Sequence, residues 1–101
     1  MDYTWLITID KIADKSEPEG TNLNAVGLMG PRNATATADE VRKKGRAFRM
    51  LDDDGEVYYH GLMLCKEAGT ETDFAPLEDF GEPNAGAVHI QYRENGKWVT
   101  L

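Results

Sequence analysis

Alternating apolar and polar positions near the start of the chain predict a strand. In the segment YTWLITI, residues 3–9, every odd-numbered position is apolar and threonines interrupt the even-numbered ones. A period of two is typical of a strand with one buried face. The polar residues from Lys11 to Asn24 include Pro18 and Gly20 and predict an exposed loop. The apolar run AVGLMG after it predicts a short strand that ends before Pro31.

A helix is predicted from Ala38 to Lys44. Thr37 and Glu40 have the spacing of a capping box, in which each side chain accepts a hydrogen bond from an exposed backbone N–H at the helix start. The basic run at residues 42–44 complements the helix dipole, so we interpret it as structural rather than as a phosphate site. Gly45 supplies the stop.

The stretch LDDDGEVYYHG, residues 51–61, predicts a hairpin between two strands. With a loop from Asp52 to Gly55, Met50 faces Val57 and Phe48 faces Tyr59, which brings the large apolar groups together. A two-residue loop would instead set two carboxylates opposite each other, which is unfavourable. The aspartates therefore serve the turn, since their side chains can bond nearby backbone N–H groups.

The closing segment VHIQYRENGKWVTL predicts a second hairpin. Asn95-Gly96 between two alternating runs is the preferred type I′ turn, and it fixes the register. The predicted pairs are Glu94 with Lys97, Arg93 with Trp98, Tyr92 with Val99 and Ile90 with Leu101. The last two pairs should form a buried face, and Arg93 should stack on Trp98 on the opposite face.

An acidic segment from Glu67 to Gly86 contains FAPLEDFGEPNAG and predicts a long loop with a short helical turn from Pro76 to Gly81. Two interpretations of its apolar residues remain open. Phe74, Leu77 and Phe80 either pin the loop to the core or form an exposed patch within a rim of carboxylates.

Together these elements predict one domain over residues 1–101. Its fold class is α+β, with a small, mainly antiparallel sheet of about five strands and one short helix. A chain of 101 residues with 41% hydrophobic residues is sufficient for a single core.

Charge and composition narrow the function classes. With 18 acidic and 11 basic residues the net charge is −7, which disfavours nucleic-acid binding and suits a basic partner. No stretch has the length of a membrane span, and the start of the chain lacks the pattern of a signal peptide. The lone Cys65 has no partner for a disulfide, and we expect a buried, inert thiol. We therefore expect a cytoplasmic protein.

The sequence predicts no metal, cofactor or catalytic residue. Asp52, Asp53 and Asp54 do not fit an EF-hand, because the expected first and last ligand positions hold Met50 and Gly61. A weak surface cation site at these aspartates remains open. His60 and His89 could meet across adjacent strands, but two histidines without a further ligand at fixed spacing are a weak zinc signal.

The combination FRMLDDDGEVYYHG, FAPLEDFGEPNAGAVHIQY and a closing NGKW resembles a group of small uncharacterised bacterial proteins. The resemblance covers about the last sixty residues and consists mostly of turn and core residues. It implies a bacterial origin, and it transfers no known activity to this chain.

The leading functional prediction is a non-catalytic protein-interaction or adaptor module. Its candidate binding residues are Glu78, Asp79 and Phe80 in the acidic segment, and Arg93 and Trp98 on the last hairpin. One alternative is an inhibitor whose acidic surface mimics nucleic acid and occupies a basic partner. A small enzyme is the weaker alternative, because the chain offers no recognisable nucleophile motif or phosphate loop.

Overall fold

A computed structural model describes residues 3–18, 24–66 and 69–101. These residues form one mainly antiparallel sheet in the spatial order β2-β1-β5-β4-β6-β7, with β3 also paired to β1. The strands are β1 (Tyr3–Asp10), β2 (Lys15–Ser16), β3 (Met29–Gly30), β4 (Arg46–Leu51), β5 (Val57–Cys65), β6 (His89–Glu94) and β7 (Lys97–Thr100).

The predicted α+β class agrees with the structure, but the predicted count of about five strands is too low. Seven strands lie in the described residues, and two of them, β2 and β3, are only two residues long. Both pair with the outer edge of β1, and β2 lies within the segment predicted as a loop. Such short pairings depend on a neighbouring strand and leave little alternation in the sequence. Residues 19–23 of that predicted loop and residues 67–68 of the acidic segment lie outside the described residues.

The predicted helix from Ala38 to Lys44 is confirmed as α1 (Ala38–Lys44), with both hydrogen bonds of its capping box present. Gly45 ends the helix in a different way from the usual left-handed cap, since its φ is −73°. A side chain here is excluded because an added Cβ would lie 2.5 Å from the Val41 carbonyl oxygen. The buried side chain of Val41 faces β1 and β5, against which α1 packs.

The prediction of a single short helix is wrong, because the acidic segment forms a second helical element over residues 71–85. We call it the mixed helix, since a 3₁₀ turn (Glu71–Phe74), a π-helical turn (Leu77–Gly81) and an α-helical turn (Glu82–Ala85) follow one another. The sequence predicted only a short helical turn from Pro76 to Gly81 within a longer loop, and this turn corresponds to the π-helical part. The wider π turn, in which Glu82 N–H bonds Leu77 C=O, fits a chain in which Pro83 has no N–H to donate.

The predicted register of the β4–β5 hairpin is wrong by two residues. Met50 pairs with Tyr59 and Phe48 with Gly61, and an irregularity follows before Leu51 pairs with Val57. The Asp52 carboxylate causes the longer loop by accepting hydrogen bonds from the backbone N–H groups of Asp54 at 2.9 Å and Glu56 at 2.8 Å. A shift of two residues keeps each side chain on its predicted face.

The closing hairpin has the predicted register, with Arg93 opposite Trp98 and Tyr92 opposite Val99. Its turn is left-handed at both positions, with φ of 52° at Asn95 and 78° at Gly96. The predicted burial of β7 is wrong, however, because Val99 and Leu101 remain 41% and 44% exposed.

The mixed helix explains this exposure, because it lies over the central strands. Phe80 packs between Trp5 of β1 and Tyr59 of β5, at ring centroid distances of 5.4 and 5.0 Å. Gly81 lies against Met50 of β4, where an added Cβ would be 2.6 Å from the sulfur. This helix therefore covers one face of the sheet at β1, β5 and β4. On the opposite face α1 packs against β1 and β5.

Candidate functional site

A row of directly paired residues crosses the face of the sheet that carries α1. From β1 to β7 the row consists of Ile9, His60, Arg49, Gln91 and Thr100. Beyond the area of α1 this face carries polar, charged and aromatic side chains that are half-buried or exposed. We call this part of the sheet the open face and define it by His60, Arg49, Gln91, Arg93 and Trp98.

Hydrogen bonds along the row fix the orientation of Arg49. Its Nε donates to Gln91 Oε1 at 2.6 Å, and Gln91 Nε2 donates to Thr100 Oγ1 at 2.9 Å. Both ends of the Gln91 amide are therefore engaged, and the guanidinium of Arg49 is held close to the surface of the sheet. A group positioned in this way loses less side-chain freedom when a ligand binds.

Trp98 is the aromatic centre of the open face. The guanidinium carbons of Arg49 and Arg93 lie 4.4 and 5.6 Å from its ring centroid. The His60 ring lies 5.9 Å away in an edge-on arrangement. Each cation–π contact at an exposed site contributes about 0.5–1 kcal/mol, so the cluster is preformed without being rigidly buried.

The open face is locally basic in an acidic chain. Within the described ranges, neither Arg49 nor Arg93 lies in ion-pair contact with a carboxylate, whereas Arg42 pairs with Glu17 and Arg46 with Asp73. Burial lowers the pKa of His60, and the positive charges of Arg49 and Lys11 lower it further. His60 is therefore neutral at pH 7, and the field around it favours anions.

The three candidate residues of the acidic segment lie in different environments. Phe80 is 8% exposed within the core, as is Leu77 at 7%, which confirms for these two the interpretation that the segment is pinned to the core; Phe74 is 37% exposed. The Asp79 carboxylate accepts hydrogen bonds from Tyr3 Oη at 2.8 Å and Trp5 Nε1 at 3.1 Å. Asp79 thus attaches the mixed helix to β1.

Glu78 lies beside an open groove of about 300 Å³, which we call the acidic groove. Its lining consists of Tyr3, Glu71, Thr72, Ala75, Glu78 and Asp79. Burial and the hydrogen bond to Asp79 raise the pKa of Tyr3 to about 12, with a smaller contribution from the charge of Glu78. The hydroxyl of Tyr3 therefore remains protonated and donates to Asp79 at physiological pH.

The candidate metal ligands are only partly brought together. Oxygens of Asp52, Asp53 and Asp54 lie within 4.8 Å of one another, but the Asp52 carboxylate already accepts the hydrogen bonds that shape the loop. His60 and His89, considered as a pair across adjacent strands, do not lie on adjacent strands, because β4 separates β5 from β6. The hydrogen bonds accepted by Asp52 therefore account for this cluster as part of the turn.

Cys65 is half-buried, which corrects the expectation of a buried thiol. It contributes to an open groove of about 400 Å³ beside α1, together with Lys44, Lys66 and Glu40. In the described part of the chain, no helix is both long and apolar enough to cross a bilayer.

Three residues of the open face were not among the binding residues proposed from the sequence: Arg49, Gln91 and His60, which had been considered only as a metal ligand. Their alternation with buried neighbours placed Arg49 and His60 on the polar side of their strands, but nothing in the sequence paired β4 with β6. Comparisons with protein families, curated proteins and solved structures find no match for this chain. The functional conclusion therefore depends on the geometry of the open face.

Proposed function

We propose that this protein is a non-catalytic interaction module that binds another protein through the open face, with Trp98 as the central contact. The observation that carries this proposal is the position of Trp98 between two arginines that lack carboxylate partners among the described residues. Tryptophan and arginine are the residue types most enriched at interface hot spots. A preformed cluster of these types on an uncovered sheet face is suited to recognition.

The chemistry of the open face supports binding rather than catalysis. A histidine that acts as a general base is commonly oriented by a carboxylate and placed beside a nucleophile. The charged groups that influence His60 are instead the cations Arg49 and Lys11. His60 contributes an aromatic edge to Trp98, which is a packing role.

A second candidate uses the acidic groove to bind a basic partner, as expected from the net charge of −7. The observation that favours it is the exposure of Glu71 and Glu78 beside the groove. An inhibitor that mimics nucleic acid would use the same surface. In either case we propose a cytoplasmic protein that binds a protein rather than a nucleic acid.

Affinity measurements with variants of the two surfaces test these proposals. The immobilised protein captures its partner from an extract of the native host, and the purified partner is then titrated against Trp98→Ala, Arg93→Gln and Glu78→Lys. We expect the first two variants to lose at least about tenfold in affinity and Glu78→Lys to retain it.

Folding of each variant is checked by its far-ultraviolet circular dichroism and its melting temperature. Full affinity in both folded variants of the open face would refute the leading proposal. A loss confined to Glu78→Lys would transfer the binding site to the acidic groove.

A further inference from the structure

Strand β7 is an outer strand of the sheet, paired in the described residues with β6 alone. In an antiparallel pair, residues alternate between those whose backbone groups bond the neighbouring strand and those whose groups point away from it. Leu101 N–H donates to Ile90 C=O at 3.1 Å, so Leu101 and Val99 bond inward. The backbone N–H and C=O groups of Trp98 and Thr100 therefore point outward.

The two sides of this edge differ in chemistry. On the side of the mixed helix, Val99 and Leu101 present apolar side chains that are 41% and 44% exposed. On the side of the open face lie Trp98, Thr100 and the neighbouring Arg93. Any strand added beside β7 would direct alternate side chains toward these two environments.

We propose that β7 accepts an extended segment of a partner protein as an additional strand, and that this segment alternates carboxylate and apolar side chains. This inference rests on the proposed function and specifies the chemistry of the partner. Backbone hydrogen bonds to Trp98 and Thr100 would supply affinity, and the alternation would supply specificity.

Charge complementarity determines which side chains of the segment face the open face. Arg49 and Arg93 lack ion-pair partners in the described ranges, so carboxylates on that side gain favourable interactions without competing with existing ones. The opposite side chains of the segment would cover Val99 and Leu101, which removes apolar surface from water. A segment whose side chains were all charged or all apolar would complement only one of the two sides of β7.

A second copy of this chain is a poorer occupant of the same edge. Antiparallel pairing of two β7 strands through Trp98 and Thr100 would set two open faces side by side, and neither face supplies a carboxylate for the Arg93 of the other. A charged residue at a sheet edge is also a common protection against such self-pairing. Complementary charge therefore favours a foreign acidic segment.

The test uses four end-capped octapeptides titrated into the isotopically labelled protein. The probe alternates Glu and Val; the controls are a Lys–Val alternation, a peptide of four Glu followed by four Val, and the probe with N-methylated backbone at alternate residues. We expect saturable amide shifts at Trp98 and Thr100 with the probe. We expect each control peptide to bind at least about tenfold more weakly.

Two protein variants accompany the peptides. Arg93→Gln should weaken probe binding at least about threefold, while Arg32→Gln, a matched loss of charge at an exposed residue outside the open face, should leave binding unchanged. Arg93→Gln preserves Trp98, so this comparison remains informative if a Trp98 variant folds poorly.

Several outcomes would overturn the inference. These are no saturable shift at about 1 mM probe, equal binding of the block or N-methylated peptide, shifts confined to the acidic groove, or a dimer of this chain joined through Trp98 and Thr100. Failure of the peptides together with Trp98-dependent capture of the partner would overturn strand addition alone. Capture that is indifferent to Trp98 and Arg93 would overturn the proposed function itself.

Discussion

The guanidinium carbon of Arg49 lies 4.4 Å from the ring centroid of Trp98, although β6 separates their strands. Trp98 therefore extends across a neighbouring strand and connects β7 to the centre of the sheet. This contact gives an otherwise exposed edge strand a second attachment, in addition to its hairpin with β6.

A double-mutant cycle measures this attachment. We expect Arg49→Ala and Trp98→Ala to show a coupling free energy of about 0.5–1 kcal/mol in denaturant unfolding. Each single substitution already removes the contact between the two side chains, so the double mutant loses less stability than the sum of the two single mutants. The cycle of Arg93→Ala with Trp98→Ala should give a smaller coupling, since Arg93 is 5.6 Å from the ring. Equal couplings in both cycles would contradict the geometry.

Replacement of Asp79 by alanine should destabilise the protein by about 0.5–1.5 kcal/mol, because Tyr3 Oη and Trp5 Nε1 would lose their shared acceptor, although water can reach the exposed position of the carboxylate. The matched control is Glu78→Ala, one residue earlier on the same helix and exposed, which should change stability by less than about 0.5 kcal/mol. Urea denaturation measures both values. Similar losses in the two variants would mean that the hydrogen bonds of Asp79 contribute little.

Gly96→Val should cost about 1–3 kcal/mol, because a β-branched residue is strained at a φ of 78°. Asn95→Gly is the control; glycine accepts the left-handed conformation there, so we expect a change of less than about 0.5 kcal/mol. The midpoint of chemical denaturation reports both. An unchanged midpoint in the valine variant would show that the turn can adopt another conformation.

Alkaline titration tests the bond between Tyr3 and Asp79. The pKa of Tyr3 rises from an ordinary value of 10.0 to about 12 on folding, so the stability linked to this group is fully present below pH 10.0 and is lost as the pH rises toward 12. Tyr3→Phe should therefore show a shallower loss of stability across this window. At pH 12 the phenolate absorbance of the folded variant should be lower than that of the wild type by about half a tyrosine, because a group with a pKa of about 12 is half ionised there. A parallel pH profile in the variant would argue against the linkage.

Substitutions and added metal ions separate the role of Asp52–Asp54 in the turn from the hypothesis that these aspartates bind a cation. Asp52→Ala should cost about 0.5–2 kcal/mol, because two backbone N–H groups lose their acceptor, whereas Asp53→Asn at an exposed position should be close to neutral. Calcium or zinc at micromolar concentration should leave the melting temperature of the wild type unchanged. A rise of several degrees would instead establish a cation site at this loop.

Local signals in the sequence were sufficient for two elements. The capping box formed by Thr37 and Glu40 predicted α1, and Asn95-Gly96 predicted the register that pairs Arg93 with Trp98. In both cases the residues that determine the structure lie within a few positions of one another, so the pattern can be recognised without knowledge of the rest of the fold.

The remainder of the open face depends on contacts distant in sequence. Arg49 and Gln91 are 42 residues apart, and no local pattern encodes the pairing of β4 with β6 that joins them. Of the mixed helix only the turn from Pro76 to Gly81 was predicted, because Gly81 resembles a helix stop and Pro83 is a usual breaker of regular structure. The burial of this helix against Trp5 and Tyr59 outweighs those local preferences.

The close approach of Gly81 to the sulfur of Met50 makes this thioether a chemical reporter of helix docking. Met50 is fully buried, so peroxide can reach it only when the mixed helix leaves the sheet. Methionine sulfoxide is polar and larger than the thioether, so it would no longer fit against Gly81. Oxidation of Met50 would therefore convert a transient opening into a lasting separation of the helix from its sheet.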